Sequence, residues 1–356
     1  MVSIVGTFAQ NDFLRRLSQN NQADLNTLQA QVSSGKKATT YSDLGETARF
    51  SLNLRQTKVT TEAFIKTNTT TNLRLQQMQT ILERIKDLTS DMKVTAYAGV
   101  SSAATPAAQG NFTVRTAAGG ALTEITQLLN SQIDGFYLFA GRLSDAPPMR
   151  DPGSVLAAGT PLGNVASLAT ALPLDSTAAS GDALYAAVRD HLDGNAVGAV
   201  PGAVPVRYYD GEFSATEQSL LVARIETSTD IAYGVNGRDP AMNTITQALY
   251  ALSVTTLDPS NEQGYRRIAQ RAVADLEAGF NAVVERIGDL GVKQSQLEQV
   301  TKRQQDFITT LDLQIGSVED VDMTEALSKL GATQTQLEAS YRMMALLRDL
   351  SIVKYL

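Results

Sequence analysis

Leu75-Gln-Gln-Met-Gln-Thr-Ile-Leu-Glu-Arg-Ile-Lys-Asp-Leu-Thr-Ser-Asp-Met92 repeats every seven residues. Leu75 and Leu82 form one series, continued by polar Thr89. Met78, Ile85 and Met92 form the series three residues on. A seam of this kind lies along one side of a helix and calls for a partner helix. Upstream, Asn68 and Thr71 fall on the same seam, so looser packing is expected there. The repeat sits in a helix expected over 48–98, within a first stretch of 105 residues that holds no proline. All ten prolines lie between Pro106 and Pro259. Proline breaks helices by removing a hydrogen bond and clashing with the preceding turn. The chain therefore has two arms that can be long helices, bracketing a middle where turns and strands are allowed.

The C-terminal arm carries a matching seam. Leu290, Leu297, Gln304, Leu311 and Val318 are spaced by seven, and Val300 and Phe307 fill the offset series. Lys293 and Gln314 interrupt it. Neither seam is clean enough to stand alone, so the two are expected to pair with each other across a folded middle. The expected rod core is Leu75, Met78, Leu82, Ile85, Leu297, Val300, Phe307 and Leu311.

Both termini add further helices. Residues 8–33 place Leu14, Leu17, Leu25, Leu28 and Val32 among polar neighbours. Ser33-Ser34-Gly35-Lys36-Lys37 then breaks the pattern. Near the other end, Asp322 followed by Glu325 resembles a capping box. A helix is expected from Met323 to about Tyr355, with Leu327, Leu330, Leu337, Tyr341, Met344 and Leu347 at helical spacing. Met343, Leu346, Leu350 and Val353 widen that stripe beyond what one partner helix needs, which fits burial on assembly. The middle is less regular. A short helical piece is expected near Leu122–Ile133, a hairpin at Val204–Tyr209 with Asp210-Gly211, and a strand at 221–226. Turns are expected at Asn236-Gly237, and helix again at Met242–Leu252 and from Glu262.

The fold expected is mainly α with a β-rich insertion: an elongated antiparallel helical-hairpin rod from the two arms plus a small β-rich middle domain. Its parts are an N-terminal assembly arm (1–47), the N-terminal half of the rod (48–141), an outer domain (142–240), the C-terminal half of the rod (241–318) and a terminal assembly helix (319–356).

Composition narrows the chemistry. The chain has 356 residues, no cysteine, no tryptophan, one histidine and a net charge of −7. An acidic chain gains nothing from nucleic acid or an anionic membrane, so neither is expected as a partner. No run is apolar for the roughly 18 residues that span a bilayer. The N-terminus lacks the basic start and apolar run of a cleaved signal. Without cysteine and with only His191, neither a zinc site nor a nucleophile–base pair is evident. No catalytic, cofactor or metal residue is assigned. Glu319-Asp320-Val321-Asp322 lacks the alternating ligands and central glycine of a calcium loop, so capping and solvation are expected for it. Gly119-Gly120 lacks a phosphate-loop lysine and reads as a turn. A carboxylate-only glycosidase or glycan-binding module in 142–240 is the remaining enzyme-like alternative.

Four segments resemble the bacterial flagellin family. Gln31-Val-Ser-Ser-Gly-Lys-Lys37 is similar to its turn after the first helix. Asp134-Gly-Phe-Tyr-Leu-Phe-Ala-Gly141, Tyr233-Gly-Val-Asn-Gly-Arg-Asp239 and Val318-Glu-Asp-Val-Asp-Met-Thr-Glu-Ala326 are similar to segments of its hook-associated members, which join hook to filament. Thr39-Thr-Tyr-Ser-Asp-Leu-Gly45 departs from the family's usual basic and Asp-Asp-Pro stretch. The ending lacks the Asn- and Gln-rich character of filament flagellins, which favours the junction role over filament flagellin, the alternative. The resemblance implies a structural, non-catalytic flagellar subunit, exported unfolded through the flagellar type III apparatus without a cleaved signal. Its partners would be copies of itself, neighbouring hook-associated or flagellin subunits and an export chaperone. Leu14, Leu28, Leu337, Met344, Leu350 and Val353 are expected to pack in the assembled core.

Overall fold

Two helices of 54 and 58 residues carry the chain, α2 (Ala48–Ser101) and α8 (Glu262–Glu319). The computed structural model describes residues 2–101, 107–156, 165–194, 208, 220–257 and 260–349. Both helices run through proline-free sequence, so nothing interrupts their hydrogen-bond ladders. The other elements are α1 (Val2–Ser34), a 3-10 turn (Tyr41–Thr47), α3 (Ala107–Leu129), β1 (Gln132–Ile133) and β2 (Phe136–Tyr137). After them come α4 (Pro152–Leu156), α5 (Val165–Ala171), α6 (Ala178–Leu192), β3 (Leu221–Glu226), β4 (Thr229–Tyr233), α7 (Pro240–Val254) and α9 (Met323–Asp349). The architecture is mainly α, with two small antiparallel sheets among the described residues, β1–β2 and β3–β4.

The chain divides into two compact units, Met1–Ala63 with Arg303–Leu356, and Phe64–Lys302. The second holds one continuous hydrophobic core. Leu75, Met78, Leu82 and Ile85 of α2 are fully buried in it, as are Leu297 and Val300 of α8 to within a few per cent. Asn68 and Thr71 are buried as well, and the Asn68 amide donates to the Ile225 carbonyl at 3.4 Å, so β3 meets the polar end of the seam.

Helix α3 adds Val114, Ala118, Leu122, Ile125 and Leu129 to this core at steps of three and four. The helix begins well before the expected Leu122. Gly119 and Gly120, read from sequence as a turn, lie inside it. The buried stripe outweighs the helix-weakening glycines, whose cost is about 1 kcal/mol each. Ile133 lies outside the helix, in β1. Asp134 and Gly135 have φ of 53° and 82°, the paired left-handed geometry of a two-residue hairpin, and join β1 to β2. Leu138, Phe139 and Ala140 then turn into the core. The Phe139 carbonyl accepts from the Gly237 amide at 2.8 Å, so two of the four singled-out segments meet. Asp239 caps α7 through Ala241 N at 3.0 Å and pairs with Arg286 at 2.9 Å.

The segment 142–240 is less purely β than expected. It carries the β3–β4 hairpin, with Ala223, Ile225, Ile231 and Tyr233 buried and Val222 and Arg224 exposed. It also carries α4, α5 and α6, of 5, 7 and 15 residues. Apart from Tyr208, the hairpin expected at 204–209 with Asp210-Gly211 lies outside the described residues. Close packing fixes α6: a Cβ on Gly181 would stand 2.3 Å from the Gly264 backbone oxygen of α8.

Phe307 is a correction. It was expected in the core, yet it is 45% exposed. Around it the buried side of α8 narrows to Gln304, Leu311 and Ile315, opposite Leu54 and Thr61 of α2. That seam is one side chain wide, so the offset position faces solvent.

Gly120 is exposed, and a Cβ there meets nothing within 4 Å. Gly120→Ala is therefore expected to stabilise the chain by about 0.5–1 kcal/mol. Gly181→Ala is expected to destabilise it by about 1–3 kcal/mol through overpacking. Denaturant unfolding of the two variants checks both signs.

Candidate assembly site

The two ends of the chain meet at a clasp in the unit formed by 1–63 and 303–356. Helix α1 stops because Gly35, at φ of 70°, takes the left-handed cap conformation and returns its amide to the Gln31 carbonyl at 2.8 Å. The chain then runs antiparallel to the segment that ends α8. Lys36 bridges to Asp320, the Lys37 amide donates to the Glu319 carbonyl at 2.6 Å, and the Val321 amide donates to the Gly35 carbonyl at 3.0 Å. The Gln31 side chain closes the loop by donating to the Lys37 carbonyl at 2.7 Å.

Side chains reinforce this short ladder. Lys37 Nζ donates to the Ser317 and Val318 carbonyls at 2.7 and 3.2 Å. These carbonyls lie in the last turn of α8, where acceptors lack helical partners and a cation meets the negative end of the helix dipole. Lys36 Nζ pairs with Asp320 at 2.6 Å and lies 3.6 Å from Glu319. Glu319 itself is buried. Arg55 of α2 grips it with Nε and Nη2 at 2.8 and 2.6 Å, the two-pronged geometry that suits a guanidinium and a carboxylate. Ser51 also donates to it. The Arg55 hydrogen bonds, helped by Ser51 and Lys36, outweigh desolvation and hold the Glu319 carboxyl at about 2. Three residues on, Asp322 accepts the Thr324 and Glu325 amides at 2.9 and 3.1 Å and starts α9. The acidic cluster thus caps a helix through Asp322, as expected. Glu319 differs from the solvated reading: it is the buried acceptor at the centre of the clasp.

Beyond the clasp, α1 packs along α9. Leu14 is buried, as are Ser18 and Asn21 of α1 and Ser340 of α9. Leu28, Leu337 and Met344 are half-buried. Leu350 and Val353 lie outside the described residues. The Tyr341 hydroxyl donates to Gln22 at 3.1 Å. Several apolar side chains of the two helices stay open: Phe13, Leu327, Met343 and Leu346 are each at least half exposed, and Leu17 and Tyr341 are exposed too.

Elsewhere, His191 is fully buried in α6, neither ring nitrogen has a hydrogen-bond partner among the described residues, and burial lowers its pKa. Among the described residues no group of His, Asp and Glu is placed to hold a metal ion, and no helix is long and apolar enough to cross a membrane.

Paired chain ends, joined by a polar clasp and bearing exposed apolar side chains, are features of a subunit that polymerises through its termini. Two family models match. The bacterial flagellin N-terminal helical region covers residues 6–144, and the bacterial flagellin C-terminal helical region covers 273–356. Together they span well over half of the chain, which belongs to the bacterial flagellin family and is a structural component of the flagellum. The chain is also similar in fold to a solved structure provisionally assigned as a flagellar hook-associated protein from Vibrio parahaemolyticus. That match has a TM-score of 0.51 at 14% identity and covers 78% of this chain and 100% of the other. No curated protein matches the sequence.

The clasp sets a pH dependence. The folded Glu319 value lies below the ordinary 4.5, so its contribution is complete above about pH 4.5 and is lost as pH falls towards 2. Glu319→Gln is expected to cost about 1–3 kcal/mol at neutral pH, since it leaves Arg55 without its charged partner. The gap between variant and parent should narrow as pH drops from 5 towards 2. Denaturant unfolding across that range checks it.

Proposed function

We propose that this subunit joins the flagellar hook to the filament, through helical packing of its terminal arms against neighbouring subunits, and that it performs no catalysis. The observation that carries this reading is the set of exposed apolar side chains on α1 and α9. Phe13, Leu327, Met343 and Leu346 remain exposed in a chain whose other unit buries an extensive core. Exposed apolar surface of this kind is a liability unless a partner covers it. Burial releases roughly 25 cal/mol per Å² and offsets the ordering of the arms. Leu14, Leu28, Leu337, Met344, Leu350 and Val353 lie in the assembled interface. Residues 1–47 and 319–356 are the assembly arms, 48–141 and 241–318 the helical halves, and 142–240 the outward module. Partners are copies of the chain and adjoining hook-associated or flagellin subunits. An export chaperone accompanies the chain, which leaves the cell.

The junction role, as against the filament, is supported by the segments Asp134–Gly141 and Val318–Ala326, which resemble those of hook-associated members, and by the fold match. Filament flagellin is the second reading, favoured by the flagellin family models at both ends. Electron microscopy of the purified chain, alone and mixed with isolated hooks, separates the two. The junction reading predicts a short, self-limiting layer on hook ends and no filaments from the chain alone. Long self-grown filaments overturn it.

Leu346→Asp changes an exposed position, so stability of the isolated chain should move by less than about 0.5 kcal/mol. The same variant is expected to lose addition to hooks. Normal incorporation, scored by the same microscopy, contradicts the proposed interface.

A further inference from the structure

We propose that His191 makes the end of α6 an acid-sensitive switch: a proton gained by its buried imidazole frees the end of α6 from α7, while α3 and the rest of the core stay packed. The inference concerns the fold of residues 64–302 and does not depend on the junction reading.

His191 is the only histidine of the chain. Histidine is the side chain whose ordinary charge change falls between pH 5 and 8. The one imidazole here is fully buried in the last turn of α6, a helix that also buries Leu184, Val188 and Leu192. Among the described residues neither of its nitrogens has a hydrogen-bond partner. The neutral ring needs one donor and one acceptor. The imidazolium adds a second donor and a charge to the same site, and an unpaired buried charge costs far more than an unpaired dipole.

The groups around α6 offer that charge little. Helices α5 and α7 pack on it, and neither contains an acidic or basic residue. Tyr250 of α7 is titratable, but burial raises its pKa and keeps the phenol neutral. On α8, Arg267 and Arg271 each hold Asp182 at 2.9 Å, and Asp275 accepts the Tyr185 hydroxyl at 2.7 Å. These contacts pin the earlier turns of α6. On α6 itself Arg189 and Asp190 are exposed. Asp193, just past its end, accepts the Asn243 and Gln247 side-chain amides of α7 at 2.9 and 2.8 Å. The negative end of the helix dipole favours a cation in the last turn, but weakly beside the burial cost. Burial accordingly sets the direction, and the His191 pKa is lowered from 6.5.

The sign follows. With the folded value below 6.5, the contribution of neutral His191 is complete above about pH 6.5 and is lost as pH falls from there towards the folded value. The window lies above the one set by Glu319, which opens below about 4.5. The place is also set. The His191 carbonyl accepts the Gly194 amide at 3.2 Å, and Gly194, at φ of 78°, closes the helix in the left-handed cap conformation. When the ring leaves for water, this cap and the adjoining Asp193 contacts to α7 go with it. The start of α6 stays, held by Asp182 and by the close approach of Gly181 to Gly264.

The test uses the full chain with its histidine ring labelled with carbon-13. One imidazole signal reports protonation, and hydrogen exchange, corrected for its intrinsic pH dependence, reports opening in 187–192 and in α3. Between pH 7 and 5 the opening of 187–192 is expected to rise about fivefold or more, with α3 unchanged. The packed imidazole should stay neutral below pH 6.5. His191→Leu is expected to remove the pH dependence. A ring that titrates near 6.5 with no faster exchange in 187–192 overturns the switch. So do a pH-independent parent, equal acceleration in α3, and a His191→Leu chain that keeps the full pH response. If His191→Leu loses protection in α3 at pH 7, the parent decides: exchange in 187–192 that tracks the charged ring supports the switch, and exchange that does not track it overturns it.

Discussion

A single buried carboxylate, Glu319, holds the two ends of this chain in register. Burying a charge is costly unless it is paired and hydrogen-bonded. Here the requirement is met by residues that sequence keeps far apart: Arg55 and Ser51 on α2, and Lys36 on the loop after α1. Together these groups replace the water that the Glu319 carboxylate gives up. The backbone ladder of Gly35–Lys37 with Glu319–Val321 follows from that meeting, and the start of α9 follows from the ladder.

The two compact units are stabilised by different physics. Residues 64–302 rest on a broad apolar core drawn from α2, α3, α6, α7 and α8, with Gly181 and Gly264 allowing close approach of α6 to α8. Among its described residues the terminal unit is joined by ion pairs, caps and polar contacts, beside a small apolar cluster of Leu54, Leu311 and Ile315. Surface pairs such as Lys58–Asp312 add little in water, so the partly buried grip on Glu319 matters most. A unit held this way is responsive to salt and pH, and it keeps apolar side chains in reserve. Those side chains, Phe13 and Leu346 among them, are available to neighbouring subunits.

The long helices were legible in the sequence because proline is absent from both arms and Leu75, Met78, Leu82 and Ile85 keep a seven-residue rhythm. The strand at 221–226 was legible from alternation. Helix α3 was cut short because Gly119 and Gly120 mimic a turn; its buried stripe of Val114, Ala118 and Leu122 is the signal that identifies it. Helices α4 and α5 are too short to show a period, whereas α6 does carry one in Leu184, Val188 and Leu192, a signal that the reading of 142–240 as β-rich passed over. Phe307 misled because a repeat states which side of a helix a residue is on, not how wide the partner is. The clasp was legible only as two unrelated segments. Charge on Lys36, Lys37, Glu319 and Asp320 reads as solvated surface until folding brings positions some 284 residues apart within 2.6 Å.

A double-mutant cycle across Arg55 and Glu319 tests the central claim most directly. Single and double substitutions to glutamine are compared by unfolding of the terminal unit at neutral pH and moderate salt. The account predicts a coupling of about 1–3 kcal/mol, because removing either partner strands the other. Additive single effects, with coupling near zero, would mean that the chain ends are held together by something other than the grip on Glu319.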